Sequence, residues 1–255
     1  MRGLNVMLLA SLVSLSAEAG SVLKVDAKDS AGKATPKEVY YAQDGMLRVD
    51  ELGASGAVTR TTLVRDGAIW QVDPGERTFT RVDAASLKQM FAGNDSRMEA
   101  MLANMPPEKR ALMESRMAQM KQKGATTQFT FSDTGRSDHE GQYSCRVWQE
   151  QRNGQPFGEY CVVAAASLPA GAELDTAIKK ASATVGQVIA AVPQMEPQAE
   201  RITRLGSMGG FPARSRVGTH ADEHVLASAQ AQSLAADKFA IPQGYTEKPL
   251  GHESN

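Results

Sequence analysis

Apolar and polar residues alternate along the first part of the chain, from Ser21 to Asp83, in short runs that turn signals separate. These signals are Asp44-Gly45, Asp66-Gly67 and Asp73-Pro74-Gly75. A period of two places every second side chain on the same face of a strand. Closely spaced turns of this kind join neighbouring antiparallel strands. The pattern therefore predicts an antiparallel meander.

Over residues 84–123 the period lengthens to about 3.6 residues, which is that of a helix. Asp83 is placed to cap a short helix that ends at Gly93, and Ser96 is placed to begin the next helix through a capping box. Pro106-Pro107 ends that helix and begins another, since proline is tolerated in the first turn of a helix but not in its interior. This segment is predicted to form a helical hairpin, or one sharply kinked helix, between strands.

Methionine is concentrated in this hairpin, where residues 98–120 hold six of the chain's 12 methionines. Thioethers suit Cu(I), but the segment contains neither His nor Cys, and spacings of three and four residues are those of an apolar helix face. Methionine also adapts to irregular apolar partners. We therefore predict packing or apolar contact, with no metal, and a lid over an apolar ligand. The candidate residues are Met98, Met101, Leu102, Met105, Met113, Met117 and Met120.

Strand patterns return with TTQFTFSD and continue on both sides of Asn153-Gly154. A second helical stretch is predicted at about residues 171–193, where apolar residues from Leu174 to Val192 recur every three or four positions. The sequences VPQMEPQAER and GSMGG are typical of loops. The tail, with FPARSRVG, EHVLASAQAQSL and KFAIPQGY, predicts two or three closing strands.

Two cysteines, Cys145 and Cys161, flank the predicted hairpin near Asn153. If Asn153 is the midpoint of an odd-length loop, the cysteines face each other directly, with Cα atoms about 4.5–5.5 Å apart and within disulfide reach. A redox pair and a pair of metal ligands are the alternatives. The sequence supports neither, because it has no CxxC spacing and no His cluster beside them. A structural disulfide is therefore predicted.

The N-terminus carries the features of an export signal. Arg2 precedes an apolar run over about residues 4–15, and Ala17-Glu18-Ala19 offers a small-x-small cleavage site. We predict a signal peptide over residues 1–19, cleaved near Ala19, and a periplasmic or secreted mature protein. The run is shorter than the roughly 20 residues that a spanning helix needs, and no later run is longer. No transmembrane segment is therefore expected in the mature chain.

Charge and composition limit the possible partners. The chain has 28 Lys and Arg against 29 Asp and Glu and no long basic run, which argues against nucleic acid binding. His220 and His224 are expected in a polar loop or strand rather than on one helix face, and Asp138-His139 lacks a paired nucleophile. No catalytic motif is present. We therefore expect a protein that is not an enzyme and uses no cofactor or metal.

Several segments resemble, in order, an exported bacterial family of unknown function. They are YYAQDGMLRVDE, AIWQVDPGERTFTRVD, MPPEKRALMESRM, the EGQYSCRVW and GEYCVV hairpin, and the closing FAIPQGY. That family is similar in fold to the lipoprotein carriers and receptors of the Lol system. The resemblance spans nearly all of the mature chain and implies an α+β fold. Its expected form is an open, strongly curved antiparallel sheet, a LolA-like half-barrel, with helices packed on or over the concave face.

In the Lol carriers the concave face holds acyl chains, whereas the resembling family has no settled activity and implies no functional residue. We expect one domain over residues 20–255, with helical segments at about 84–123 and 171–193. The predicted function is binding of an apolar ligand, an acyl chain or a lipidated partner, in the concave face. The alternative is an envelope structural or interaction module that fills this face with its own helices.

Overall fold

The computed structural model describes residues 19–125, 127–218 and 222–251. The predicted signal peptide up to Glu18, and His220, lie outside these ranges. The strands are β1 (Gly20–Lys28), β2 (Ala34–Gln43), β3 (Met46–Leu52), β4 (Val58–Arg65), β5 (Ala68–Asp73), β6 (Thr78–Val82), β7 (Phe129–Glu140), β8 (Tyr143–Arg152), β9 (Gln155–Ala164), β10 (Gly210–Val217), β11 (Glu223–Gln232) and β12 (Thr246–Glu247). The α-helices are α1 (Ala84–Ala103), α2 (Pro107–Ala125), α3 (Gly171–Ala190) and α4 (Glu196–Gly206).

All 12 strands belong to one curved sheet with the order β12-β6-β5-β4-β3-β2-β1-β11-β10-β9-β8-β7. Every neighbouring pair is antiparallel except β12 and β6, which are parallel. The sheet does not close, because β12 and β7 form its two edges. Register shifts leave one extra residue in each of β2, β9 and β10 and mark bulges, which bend strands and increase their twist. The predicted antiparallel meander and the α+β class are confirmed.

Helix α3 lies across one face of the sheet and forms the centre of the core. Leu174 and Ala177 of this helix are completely buried in a cluster with Leu23, Val163 and Phe211, which come from three strands. Helix α4 packs closely on α3. A Cβ atom on Gly186 would lie 2.5 Å from the Thr203 hydroxyl oxygen, and one on Gly206 would lie 2.2 Å from that of Ser182. Glycine is therefore required at both points where these helices cross.

The chain after β11 crosses the opposite face of the sheet. Leu234 and Phe239 are buried there with Val22, against Val39 and Tyr41. The segment then reaches the far edge, where the Thr246 amide donates to the Arg77 carbonyl. Of the three tail segments expected to form two or three closing strands, the first two form β10 and β11, whereas KFAIPQGY does not form a strand. It forms instead a 3-10 turn over Ala236–Phe239 followed by irregular chain, because Pro242 lacks a donor for a strand ladder.

Two helix predictions are also wrong in detail. Helix α1 continues through Gly93, where two helices were expected. A glycine inside a helix costs only about 0.5–1 kcal/mol relative to alanine and need not end it. Helix α4 occupies a segment that was predicted to be loop. Its local signals are Pro197 in the first turn, Glu196 at the positive end of the helix dipole and Arg204 at the negative end.

The disulfide between Cys145 and Cys161 is present, with a Cα–Cα distance of 5.3 Å. The predicted register is wrong, because Cys161 lies opposite Val147 and the two half-cystines are diagonal neighbours. The turn is a two-residue Asn153-Gly154 turn in which both residues have positive φ, and a bulge adjoins it. The bond lies in the core cluster that α3 covers. It therefore links neighbouring strands at the centre of the fold.

Reduction of this disulfide should lower the free energy of unfolding by about 3 kcal/mol, the chain-entropy value for a loop of this length. Urea unfolding with and without dithiothreitol measures the change. The Cys145→Ala, Cys161→Ala double variant is the control and should not respond to the reductant. Two cysteines that react with an alkylating reagent in the native, unreduced protein would contradict the assignment.

Candidate functional site

Helices α1 and α2 form a hairpin that carries most of the predicted ligand-binding residues. Its base is the N-terminal half of α1, where Leu87 packs with Val82 of β6 and with Val188 of α3. The Ser86 amide donates to the Asp83 carboxylate at 2.8 Å, and the Asp83 amide donates to the Ser86 hydroxyl at 2.9 Å. The first of these bonds is the main reason that the pKa of Asp83 lies below its usual value. The predicted cap at Asp83 is thus confirmed.

The turn of the hairpin is held by one arginine from α2. Arg110 donates from Nε to the Leu102 carbonyl at 2.8 Å, and from its terminal nitrogen to the carbonyls of Ala103 and Met105 at 2.9 and 3.2 Å. The last carbonyl groups of a helix have no partner within the helix. Because one guanidinium satisfies three carbonyls at the end of α1, the two helices are joined as one unit.

The predicted lid residues differ in exposure. Leu102 is buried, whereas Met98, Met105, Met113 and Met117 are half-buried. Met101 is 44% exposed, and Leu112, which was not predicted, is 56% exposed. These two are the large apolar side chains that are exposed among the described residues, and both lie on the hairpin. The side chain of Met120 is outside the described part of the chain.

The hairpin rests mainly on other helices. Helix α1 contacts α3 and reaches the sheet at β6, while α2 contacts α4 and the 3-10 turn over Pro193–Met195. Helix α3 contacts β1 to β5 and β10. The helices therefore form two layers, with α3 and α4 next to the sheet and the hairpin outside them. In α3 six residues are buried, but in α1 only Leu87 and Leu102 are.

Helix α4, which supports α2, is fixed to the sheet by a buried ion pair. Arg201 donates to the two carboxylate oxygens of Glu150 at 2.5 and 3.0 Å, and the Tyr160 hydroxyl donates to the same carboxylate at 2.5 Å. The guanidinium carbon lies 5.4 Å from the ring centre of Phe129 and 5.7 Å from that of Phe157. Burial and the bond to Glu150 raise the pKa of Tyr160 far above its usual value. We call these five residues the arginine clamp.

Two open clefts of about 500 Å³ each lie outside the core. The first separates α1 from the C-terminal segment and is lined by Met90, Gly93, Arg97, Lys248 and Leu250, among others. The second lies on the sheet face opposite α3, over Val22 and Tyr41. Its rim includes Lys238, whose Nζ is 3.8 Å from the Tyr41 ring centre. Both combine polar and apolar surface.

Residues 19–125, 127–218 and 222–251 contain no group of three His, Cys, Asp or Glu side chains that could hold a metal ion. In the same ranges, no helix is both long and apolar enough to cross a membrane. His224 lies in β11, opposite Ala27 and Ser215, and Asp138 forms an ion pair with Arg214 at 2.6 Å.

No protein-family model matches the sequence, and no curated protein matches it. Among solved structures, an uncharacterized conserved protein from Thermus thermophilus is similar in fold over 91% of this chain and 90% of its own. The TM-score is 0.44 and the sequence identity is 7%. At these values the likeness supports no conclusion about family or function.

Sequence reasoning found the methionine stripe and the disulfide but missed the contacts that position the hairpin. Arg110 stands three residues after Pro107. Its position close to the end of the preceding helix is a signal that it could donate to the last carbonyl groups of that helix. The arginine clamp has no such local signal. Its Arg201 and Glu150 are 51 positions apart, and a strand and a helix bring them together.

Replacing Arg201 with Ala should lower the free energy of unfolding by about 3–5 kcal/mol, because it leaves the Glu150 carboxylate buried without its counter-ion. Urea unfolding measures the change. Arg204→Ala is the matched control, since Arg204 pairs with Glu200 on the exposed side of α4 and exposed pairs contribute about 0–1 kcal/mol. Equal effects of the two substitutions would show that the clamp does not stabilise the fold.

Proposed function

We propose that this is an exported, non-enzymatic protein whose α1–α2 hairpin binds an apolar ligand, either an acyl chain or the lipid group of a modified partner. The supporting observation is the placement of exposed apolar surface. Met101 and Leu112, the exposed large apolar side chains of the described residues, both lie on this hairpin. Methionine suits such a surface because its flexible thioether side chain adapts to partners of different shape.

The site of binding is proposed at the outer helical layer and not beneath α3. Leu174 and Ala177 of α3 are completely buried against the sheet, so a ligand there would have to displace the core. The hairpin is held less extensively. It is attached at its base by Leu87 and by contacts of α2 with α4, and Arg110 joins its two helices to each other.

Three features support the proposed export to the periplasm or the outside of the cell. The N-terminal sequence has the cation, apolar run and small-x-small site of a signal peptide. The Cys145–Cys161 disulfide suits an oxidising compartment. The segments that resemble the family related to the Lol carriers also point to an envelope protein, and a curved open sheet with helices on one face suits that resemblance.

A second candidate is an envelope structural or interaction module that binds no small ligand. This candidate is favoured because α3 covers the sheet face. The buried side of α3 packs against Leu23, Val163 and Phe211. In this case the hairpin would contact a protein surface. Extraction of the natively purified protein with organic solvent, followed by mass spectrometry, separates the two candidates because only the first should release a lipid.

Replacing Met101 and Leu112 with Ser should weaken the binding of a fluorescent fatty acid by roughly tenfold or more, since burial of an apolar side chain contributes about 1.5–3 kcal/mol. The same double variant should change the free energy of unfolding by only about 0.5 kcal/mol per site, because both residues are exposed. Fluorescence titration and urea unfolding measure the two effects.

Met46→Ser is the control, because Met46 packs on the opposite face of the sheet. It should lower stability and leave fatty-acid affinity unchanged. If the wild-type protein binds no fatty acid and releases no lipid on extraction, the ligand-binding proposal is wrong and the module without a ligand is preferred.

Export predicts that the mature protein purified from its source begins at Gly20 or within a few residues of it. The reason is that signal peptidases cleave after small residues, as at Ala17 and Ala19. N-terminal sequencing measures this directly. A chain that retains Met1 and fractionates with cytosolic proteins would contradict the proposed localisation.

A further inference from the structure

We infer that the cleft between α1 and residues 247–251 binds the anionic headgroup of an amphiphile whose chain lies on the hairpin. This assignment rests on the proposed function and names the ligand class: a molecule with one apolar chain and a carboxylate or phosphate end. The cleft has a volume of about 500 Å³ and lies beside the part of the hairpin that carries exposed Met101.

One cation of the cleft, Arg97, is placed to meet an anion, because the other two already pair with carboxylates. Arg81, Arg97 and Lys248 line it, against a single carboxylate, that of Glu247. Arg81 forms an ion pair with Asp83 at 2.9 Å, and Lys248 pairs with Glu76. Arg97 is exposed, and none of the described residues forms an ion pair or a hydrogen bond with its side chain. Its guanidinium is therefore available to donate to carboxylate or phosphate oxygens.

The polar and apolar parts of the cleft are ordered along one face of α1. Met90, Gly93, Arg97 and Met101 stand at intervals of three and four residues, so their positions share a face of the helix. Met90 and Leu250 of the C-terminal segment pack against the same apolar cluster. Arg97 therefore lines the end of the cleft, and Met101 follows it one helical turn later. A headgroup at Arg97 would leave an attached chain beside the exposed apolar part of the hairpin.

Gly93 leaves part of the cleft wall without a side chain. Glycine destabilises the interior of a helix. A glycine within a helix is often explained by another chain segment that approaches too closely for a side chain. No such reason exists at Gly93, because an added Cβ atom would meet no other atom within 4 Å. The glycine instead keeps the cleft wall free of a side chain. Space of this kind lets a bound molecule reach the helix surface.

The amides of Gln89 and Asn94 and the hydroxyl of Ser86 complete the polar lining. Amide groups can donate to headgroup oxygens beside the arginine. An uncharged headgroup such as an alcohol would gain these neutral bonds only. The cleft should thus distinguish an anionic amphiphile from a neutral one with the same chain.

Isothermal titration calorimetry with dodecanoate, dodecyl phosphate and dodecanol tests this inference at low ionic strength, where screening of exposed charges is weakest. We expect both anions to bind the wild-type protein about tenfold more tightly than dodecanol, and Arg97→Gln to weaken the anions by roughly threefold to tenfold, because charge-assisted bonds are lost. Dodecanol binding should be unchanged in that variant. If one of the two anions binds more tightly, its headgroup, carboxylate or phosphate, is the one that the cleft prefers.

Arg116→Gln is the matched control, since it removes the same charge from an exposed position on α2. It should change each affinity by less than about twofold, because Arg116 does not line the cleft and an exposed charge outside it acts on the headgroup only through water of high dielectric constant. Gly93→Leu should weaken binding of both anions by filling the cleft. The melting temperature of this variant should not fall, because leucine is a better helix former than glycine and the space beside residue 93 is open. A lower affinity would therefore not result from unfolding.

Equal binding of dodecanoate and dodecanol, or equal loss in the Arg97 and Arg116 variants, would overturn the headgroup assignment while leaving the apolar site intact. Inorganic phosphate that binds as tightly as dodecyl phosphate would also overturn it, since the cleft would then hold a free anion. Failure of all three amphiphiles to bind would instead contradict the proposed function on which the inference rests.

Discussion

Burial of α3 against the sheet is the constraint on which the remaining structure depends. A sheet of 12 strands has two broad faces, and any apolar part of a face must be buried against another element. Helix α3 covers the centre of one face, where Leu174 and Ala177 are completely buried, and the chain after β11 covers part of the other with Leu234 and Phe239. The disulfide lies beneath α3 in the same cluster. Any function that requires an open sheet face at this point would therefore require the core itself to open.

The outer helical layer follows from that arrangement. Since α3 and α4 already occupy the sheet face, α1 and α2 can only pack on them and at the β6 edge. The outer layer therefore has less surface to bury, and its apolar residues are left half-buried or exposed. Local hydrogen bonds of Arg110 at the turn and of Asp83 at the base hold the hairpin together. The hairpin is therefore well formed although its contact with the rest of the protein is small. Structural elements with few tertiary contacts are those that open most readily.

Local patterns predicted the parts of this fold that depend on local interactions. The meander from β1 to β6, the cap at Asp83, the stripe on α3 and the cysteine pairing all arise from neighbouring residues, and the sequence between Ser21 and Asp83 shows the turns directly. The failures have a common physical cause, which is that distant contacts decided the outcome. Helix α4 is joined to the sheet by Arg201, which reaches Glu150 of β8, and a bulge together with an even-length turn shifted the cysteine register. The hairpin's methionines were identified as an apolar face, but only the order of packing layers could show that Met101 is exposed.

The two helical layers also differ in composition in a way that suits different tasks. Helix α3 uses Ala, Val and Gly where it meets the sheet and α4, because small and branched side chains permit the close approach seen at Gly186. Such packing is specific and tolerates little change in volume. The hairpin uses unbranched methionine, which can change rotamer to fit partners of different shape. If the hairpin served only to complete the core, selection for tight packing would favour the residues found in α3. Met101, Arg97 without a protein partner among the described residues and the open wall at Gly93 lie together on α1. This grouping is the arrangement on which the proposed binding of an amphiphile rests.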